Sequence, residues 1–107
     1  MSRRSEKIEE ILRETAAEFL NREAAAPPSG GLITVTRAVL NEKNTHATVM
    51  FTVFPDSAEE SALNFANRHR GEFADFFEKR VRGIRAPHLI FTTDKGEKNR
   101  RRLDELS

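Results

Sequence analysis

A chain of 107 residues, 37% hydrophobic and 33% charged, has enough apolar material for one core but not two. It contains no cysteine, which excludes disulfides, thiolate chemistry and zinc knuckles and fits a reducing cytoplasm. No apolar run approaches the roughly eighteen residues of a membrane span, and the N-terminus lacks a signal-peptide core, so a membrane partner is not expected.

The net charge of +1 conceals an asymmetry. Residues 1–67 carry seven Lys/Arg against ten Asp/Glu, whereas residues 68–107 carry eleven against seven. A basic patch confined to one part of a chain attracts polyanions that the average charge does not reveal.

Taken in order, residues 1–4 are expected to fray. Ser5 is a suitable N-cap for a first helix running to about Ala24, with Ile8, Ile11, Leu12, Ala16, Phe19 and Leu20 as its apolar stripe. The opposite face holds Glu9, Glu10, Arg13, Glu14, Glu18 and Arg22. The spacing predicts Glu9–Arg13 and Glu18–Arg22 pairs on a solvated surface. Pro27, Pro28, Gly30 and Gly31 then make a loop.

Leu32 to Leu40 and His46 to Phe54 read as two strands joined by the polar turn of residues 41–45, hence an antiparallel hairpin. In the second strand Ala47, Val49, Phe51 and Val53 share one face, which should carry the helices. The face with Thr48, Met50, Thr52 and Phe54 should be partly open.

Residues 56–87 form a long amphipathic stretch with one glycine, Gly71, in its middle. Asp56 is a candidate N-cap, and Glu59 completes a capping box. Ala62, Phe65, Ala66, His69, Phe73, Phe76, Phe77 and Val81 recur at helical spacing. A straight helix over residues 57–82 would measure about 39 Å, against about 30 Å for the strand before it. A bend at Gly71 keeps both halves on one short sheet. Gly83 and Pro87 end the segment, and His88 to Thr93 is a third strand, parallel to the second. Residues 1–94 are expected to form the domain and residues 95–107 a flexible basic tail.

Catalysis finds little support. His46, His69 and His88 lie far apart in the sequence and form no ligand spacing, and there is no nucleophile elbow or P-loop. No enzyme, metal or cofactor is expected. Nucleic-acid binding has more behind it. Between Lys79 and Arg102 stand nine basic residues against Asp94 and Glu97, and Arg68 and Arg70 flank the glycine. A helix that restarts there presents N–H groups to a phosphate. The absence of Tyr and Trp argues against a base-stacking platform, leaving recognition by backbone and shape.

The element order α-β-β-α-kink-α-β resembles a type II KH fold whose GxxG loop is replaced by an interrupted helix, and several stretches are similar to the ribosome-binding factor A family. These are IEEILRETAAEFL in the first helix, GLITVTRAVLNEKNTHATVMFTVF in the hairpin, His69-Arg70-Gly71 at the kink, PHLIF sixteen residues beyond Gly71, and RRLDEL from Arg101 to Leu106. Where the family has alanine in its kink, this chain has His69.

The resemblance implies an α+β, type II KH-like domain, with a three-stranded sheet, helices on one face and the helix interrupted at Gly71. It further implies a monomeric, non-catalytic factor that binds the immature free 30S subunit and its 16S rRNA near the neck and decoding region. Such a factor assists maturation of the rRNA 5′ end, is released with the help of an assembly GTPase, and is associated with growth in the cold.

Carried over by position, Gly71 and His69 make the kink, with Arg68 and Arg70 as its phosphate contacts. Lys79, Arg80, Arg82 and Arg85 extend the basic face, and Arg100, Arg101 and Arg102 add a further contact. Two other readings stand beside this one: a general KH-like regulator of mRNA, and a protein–protein adaptor working through the acidic first helix.

Overall fold

The computed structural model describes residues 3–23, 31–97 and 99–100. Helix α1 spans Arg3–Glu23, strand β1 Leu32–Leu40 and strand β2 His46–Phe54. A 3-10 turn, Asp56–Ala58, leads into α2, Glu59–Arg68, followed by α3, Arg70–Arg80, and β3, His88–Thr93. All three strands coincide with the expected spans, because period-two alternation is hard to mistake for any other pattern.

The sheet order is β1-β2-β3, antiparallel between β1 and β2 and parallel between β2 and β3. A bulge at Thr36 shifts the β1 register, so that Val35 faces Phe51 but Arg37 faces Met50. The three helices lie against the face formed by Ile33, Val35, Ala47, Val49, Phe51, Val53, Leu89 and Phe91, all buried. Phenylalanine rings tie the layers together: Phe19 of α1 meets Phe73 of α3 at 5.4 Å between centroids, Phe73 meets Phe91 at 5.8 Å, and Phe91 meets Phe51 at 6.3 Å. Rings at these separations and tilts combine large area burial with favourable edge contacts.

Side chains from the helices occupy both outer flanks of the sheet. At β1 the Leu40 N–H donates to Glu9 Oε2 at 2.7 Å. At β3 the Phe91 N–H donates to Asn67 Oδ1 at 3.1 Å, and Asn67 Nδ2 donates back to the Phe91 carbonyl at 3.2 Å. Unpaired strand edges invite association, and these bonds close part of each one.

Several local expectations are corrected. Ser5 does not cap α1; it lies inside the helix, nearly buried, and its hydroxyl donates to Asn44 Oδ1 at 3.1 Å. The residues ahead of it are not frayed as far as described, since Arg3 and Arg4 are helical. The two i,i+4 pairs do not form. Glu9 serves Leu40, Arg13 bonds Glu10, and Glu18 takes Arg80 of α3.

Asp56 opens the 3-10 turn rather than capping α2. The caps are Pro55 and Ala58, neither with a side-chain cap bond. Within the segment beyond β3, residues 95–97 and 99–100 are helical. The Asp94 side chain caps this start, its Oδ1 accepting the Glu97 N–H at 3.0 Å while Oδ2 accepts the Thr36 hydroxyl at 2.6 Å. Ala24, Arg101, Arg102, Leu103 and Leu106 lie outside the described residues.

A candidate nucleic-acid interface at the helix break

The α2–α3 segment is interrupted, and the residue out of helical conformation is His69, with φ −100° and ψ 16°. Gly71, two residues on, is already in the first turn of α3. Why the ladder breaks at His69 is visible in its bonds. Its N–H is shared between the Phe65 and Ala66 carbonyls at 3.3 and 3.2 Å. Its ring Nδ1 lies 2.8 Å from the same Phe65 carbonyl, which places the proton on Nδ1. The ring stacks on Phe65 at 4.3 Å, and Nε2 lies 4.0 Å from Glu72 Oε1. Arg70 Nε then donates to the Asn67 carbonyl at 3.1 Å, so side chains take up the carbonyls that the interrupted ladder leaves.

The α3 ladder restarts with the Phe73 N–H on the His69 carbonyl at 2.9 Å. The amides of Arg70, Gly71 and Glu72 therefore stand at the open N-terminus of a new helix, where the partial charge is positive. A groove of about 360 Å³ lies alongside. Arg68, Arg70, Gly71 and Ala74 line one wall, Pro87, His88 and Leu89 the other, with Asn67 between them. Both arginines and the glycine are exposed, and no carboxylate is among the lining residues. Two guanidinium groups beside a helix N-terminus make an anion-binding wall, and leucine, proline and imidazole supply a flat, weakly polar one.

The other basic residues are distributed unevenly. Arg80 turns to α1, where it forms a two-pronged ion pair with Glu18, with Nη1 to Oε2 at 2.9 Å, and lies over the Phe76 ring at 5.1 Å. Arg85 lines a separate depression of about 190 Å³ with Ile8, Leu40, Asn44, Ile84 and Pro87. Lys79 and Arg82 are exposed at the end of α3 and just after it. Arg100 pairs with Glu97 at 3.3 Å. Of the expected contacts, then, Arg68, Arg70 and Gly71 share one groove, and Arg80 and Arg85 do not join it.

Sequence reasoning missed Asn67 and His88. Asn67 is legible only once β3 is known to pass beneath α2. His88 stands beside His46 in the parallel register, their rings 5.4 Å apart, although 42 residues separate them in the chain. Among the described residues no three His, Cys, Asp or Glu side chains gather as a metal site, and no helix is long and apolar enough to cross a membrane.

Comparison with known proteins agrees with this architecture. The family model described as ribosome-binding factor A matches residues 4–107. Ribosome-binding factor A of Geobacter metallireducens is 31% identical over 107 residues, covering 99% of this chain and 90% of that protein. The crystal structure of ribosome-binding factor A from Thermus thermophilus superposes with a TM-score of 0.70 at 26% identity, covering 83% of this chain and 94% of the other. Coordinates of the Thermus thermophilus factor fitted into a cryo-EM map of a 30S complex give a TM-score of 0.66 at 27% identity, covering 79% and 89%. With the interrupted helix, the three-stranded mixed sheet and a match over nearly its whole length, the chain belongs to the ribosome-binding factor A family.

Proposed function

We propose that the chain binds the immature 30S ribosomal subunit through 16S rRNA and assists maturation of the rRNA 5′ end by holding RNA, without making or breaking a bond itself. The observation that carries this reading is the groove at the helix break, where Arg68, Arg70 and the first amides of α3 converge with no lining carboxylate. Those groups suit a phosphate backbone, whose affinity for cations is largely independent of sequence. The likeness to the Thermus thermophilus factor fitted into a 30S complex supports the choice of partner. The same reading includes a cytoplasmic monomer released by an assembly GTPase.

Arg80 contributes little to RNA contact in this proposal, because Glu18 holds it against α1. That bond also weighs against the adaptor alternative. Glu9 and Glu18, two carboxylates of the acidic helix, are engaged within the fold.

Co-sedimentation with free 30S subunits and with 70S ribosomes, at two salt concentrations, tests the proposal. The expected result is association with free 30S that weakens as salt rises. Changing Arg68 and Arg70 to Ala should lower the affinity and flatten the salt dependence by about one unit of log–log slope per arginine. Association with 70S alone would count against the assembly role. An unchanged slope in the double variant would remove the groove from the interface.

A further inference from the structure

The chain has neither tyrosine nor tryptophan to stack on a base, yet the fold assembles a substitute from two imidazoles. Strand β3 enters the sheet at His88, level with His46 on β2. Both residues are exposed, on the sheet face opposite Ala47 and Leu89, which are buried beneath the helices. Their rings stand 5.4 Å apart with the planes at 66°. A flat group lying on one ring therefore meets the edge of the other, and offset or edge contacts are the favourable ones between rings.

The hairpin turn holds this corner in place. The Thr45 carbonyl accepts the His88 N–H at 2.9 Å, which fixes the start of β3. Asn41 Oδ1 accepts the His46 N–H at 3.0 Å, and Asn41 Nδ2 donates to Thr45 Oγ1 at 2.9 Å. The same hydroxyl lies 2.9 Å from His46 Nδ1, so one edge of that ring is anchored to the turn. Next in register on this face stand Thr48 and Ile90, and Ile90 is 47% exposed. An exposed isoleucine beside two imidazoles suits the flat face of a nucleobase.

His88 also lines the groove at the helix break, across from Arg68 and Arg70. The groove and the corner thus share a residue. A cationic wall takes a phosphate, and a corner of rings beside it takes a flat, uncharged group. Both together match a nucleotide whose base is unpaired, because a base within a duplex keeps its faces stacked on its neighbours.

We infer that His46 and His88 form a base-stacking subsite, and that the RNA held across the helix break is single-stranded there. The inference rests on the RNA-binding reading and deepens it. Phosphate contacts supply affinity, and the imidazole corner supplies the preference for unpaired nucleotides.

Fluorescence anisotropy of the full-length chain with three RNA probes tests this. The probes are an unstructured single strand, an abasic strand with the same number of phosphates, and a duplex. The parent is expected to bind the unstructured strand most tightly. His46→Ala combined with His88→Ala should weaken that binding about fivefold or more, as loss of one stacked base does. Its affinity for the abasic strand should stay within about twofold, and its salt dependence should not change, since no phosphate contact is removed. His46→Phe combined with His88→Phe should restore binding to the unstructured strand, because stacking needs a ring and not a ring nitrogen.

Unchanged affinity for the unstructured strand in the alanine variant would overturn the inference. So would an equal loss on the abasic strand, which would make the histidines phosphate contacts, or tighter binding of the duplex by the parent. Failure of the phenylalanine variant to restore binding would replace stacking with a hydrogen bond from the imidazoles. A parent that bound none of the probes, or bound them without salt dependence, would overturn the RNA-binding reading and this inference with it.

Discussion

Gly71 and Gly31 show how differently one residue type behaves in this fold. Gly71 sits in regular helix, and a Cβ added there meets nothing within 4 Å. The break at His69 does not depend on it. Gly71→Ala is expected to raise stability in urea unfolding by about 0.5–1 kcal/mol, the usual gain from removing a helical glycine. A loss of stability would mean that the bend needs glycine after all. At Gly31 a Cβ would stand 2.7 Å from Ala58 Cβ and 3.2 Å from Val53 Cγ1. Gly31→Ala should cost about 1–3 kcal/mol in the same measurement, as overpacking does. The sequence singled out Gly71, because it interrupts an apolar pattern. It left Gly31 in a loop with Pro27, Pro28 and Gly30, since contact with residues 53 and 58 is a tertiary fact that no local window contains.

At the scale of elements, the join between β1 and the chain after β3 is a pH-sensitive device. The Thr36 hydroxyl, then the Glu97 amide, hold the Asp94 carboxyl below its ordinary value of 3.8. A depressed carboxylate stabilises the fold above the unfolded-state pKa, and the contribution is lost as pH falls through the lower, folded value. Acid unfolding should therefore steepen below about pH 4–5. Thr36→Val should flatten that limb of the stability–pH curve by lowering the neutral plateau, while leaving stability at the most acidic end little changed. Glu10, lowered by its bond from Arg13, acts in the same window, so the difference between the two proteins isolates Asp94. None of this link was legible, because the bulge that presents Thr36 and the helical start at Lys95 depend on each other. Charge pairs on α1 were misread for a related reason. Spacing within one helix suggests its internal partners, and Glu9 and Glu18 found theirs on β1 and α3. The strands themselves were readable, since alternation carries both their extent and their buried face.

For the molecule as a whole, the division into an acidic first part and a basic second part survives folding, but it does not produce one continuous basic face. Arg80 crosses back to Glu18 and fastens α3 onto α1. Arg80→Ala is expected to cost the fold about 0.2–1 kcal/mol for an exposed pair, with some further loss from uncovering Phe76. Its affinity for 30S subunits should stay within about twofold of the parent, a change of roughly 0.4 kcal/mol. A drop as large as that of the Arg68/Arg70 double variant would return Arg80 to the interface. The aromatic core was legible as a composition, eight phenylalanines without tyrosine or tryptophan. Its order, Phe19 to Phe73 to Phe91 to Phe51, required the parallel placement of β3 beside β2.

The bonds from Glu9 to β1 and from Asn67 to β3 have a bearing on the company this protein can keep. Partners often join a sheet by adding one more strand along its flank, reading main-chain donors and acceptors in sequence. Here an approaching extended segment would find Leu40 on one flank and Phe91 on the other already engaged, and would have to evict a helix side chain to pair there. The same obstruction guards against chains of this protein stacking edge to edge as they accumulate. Partners that read main-chain donors and acceptors are thereby disfavoured at Leu40 and Phe91, the flank positions that helix side chains already hold.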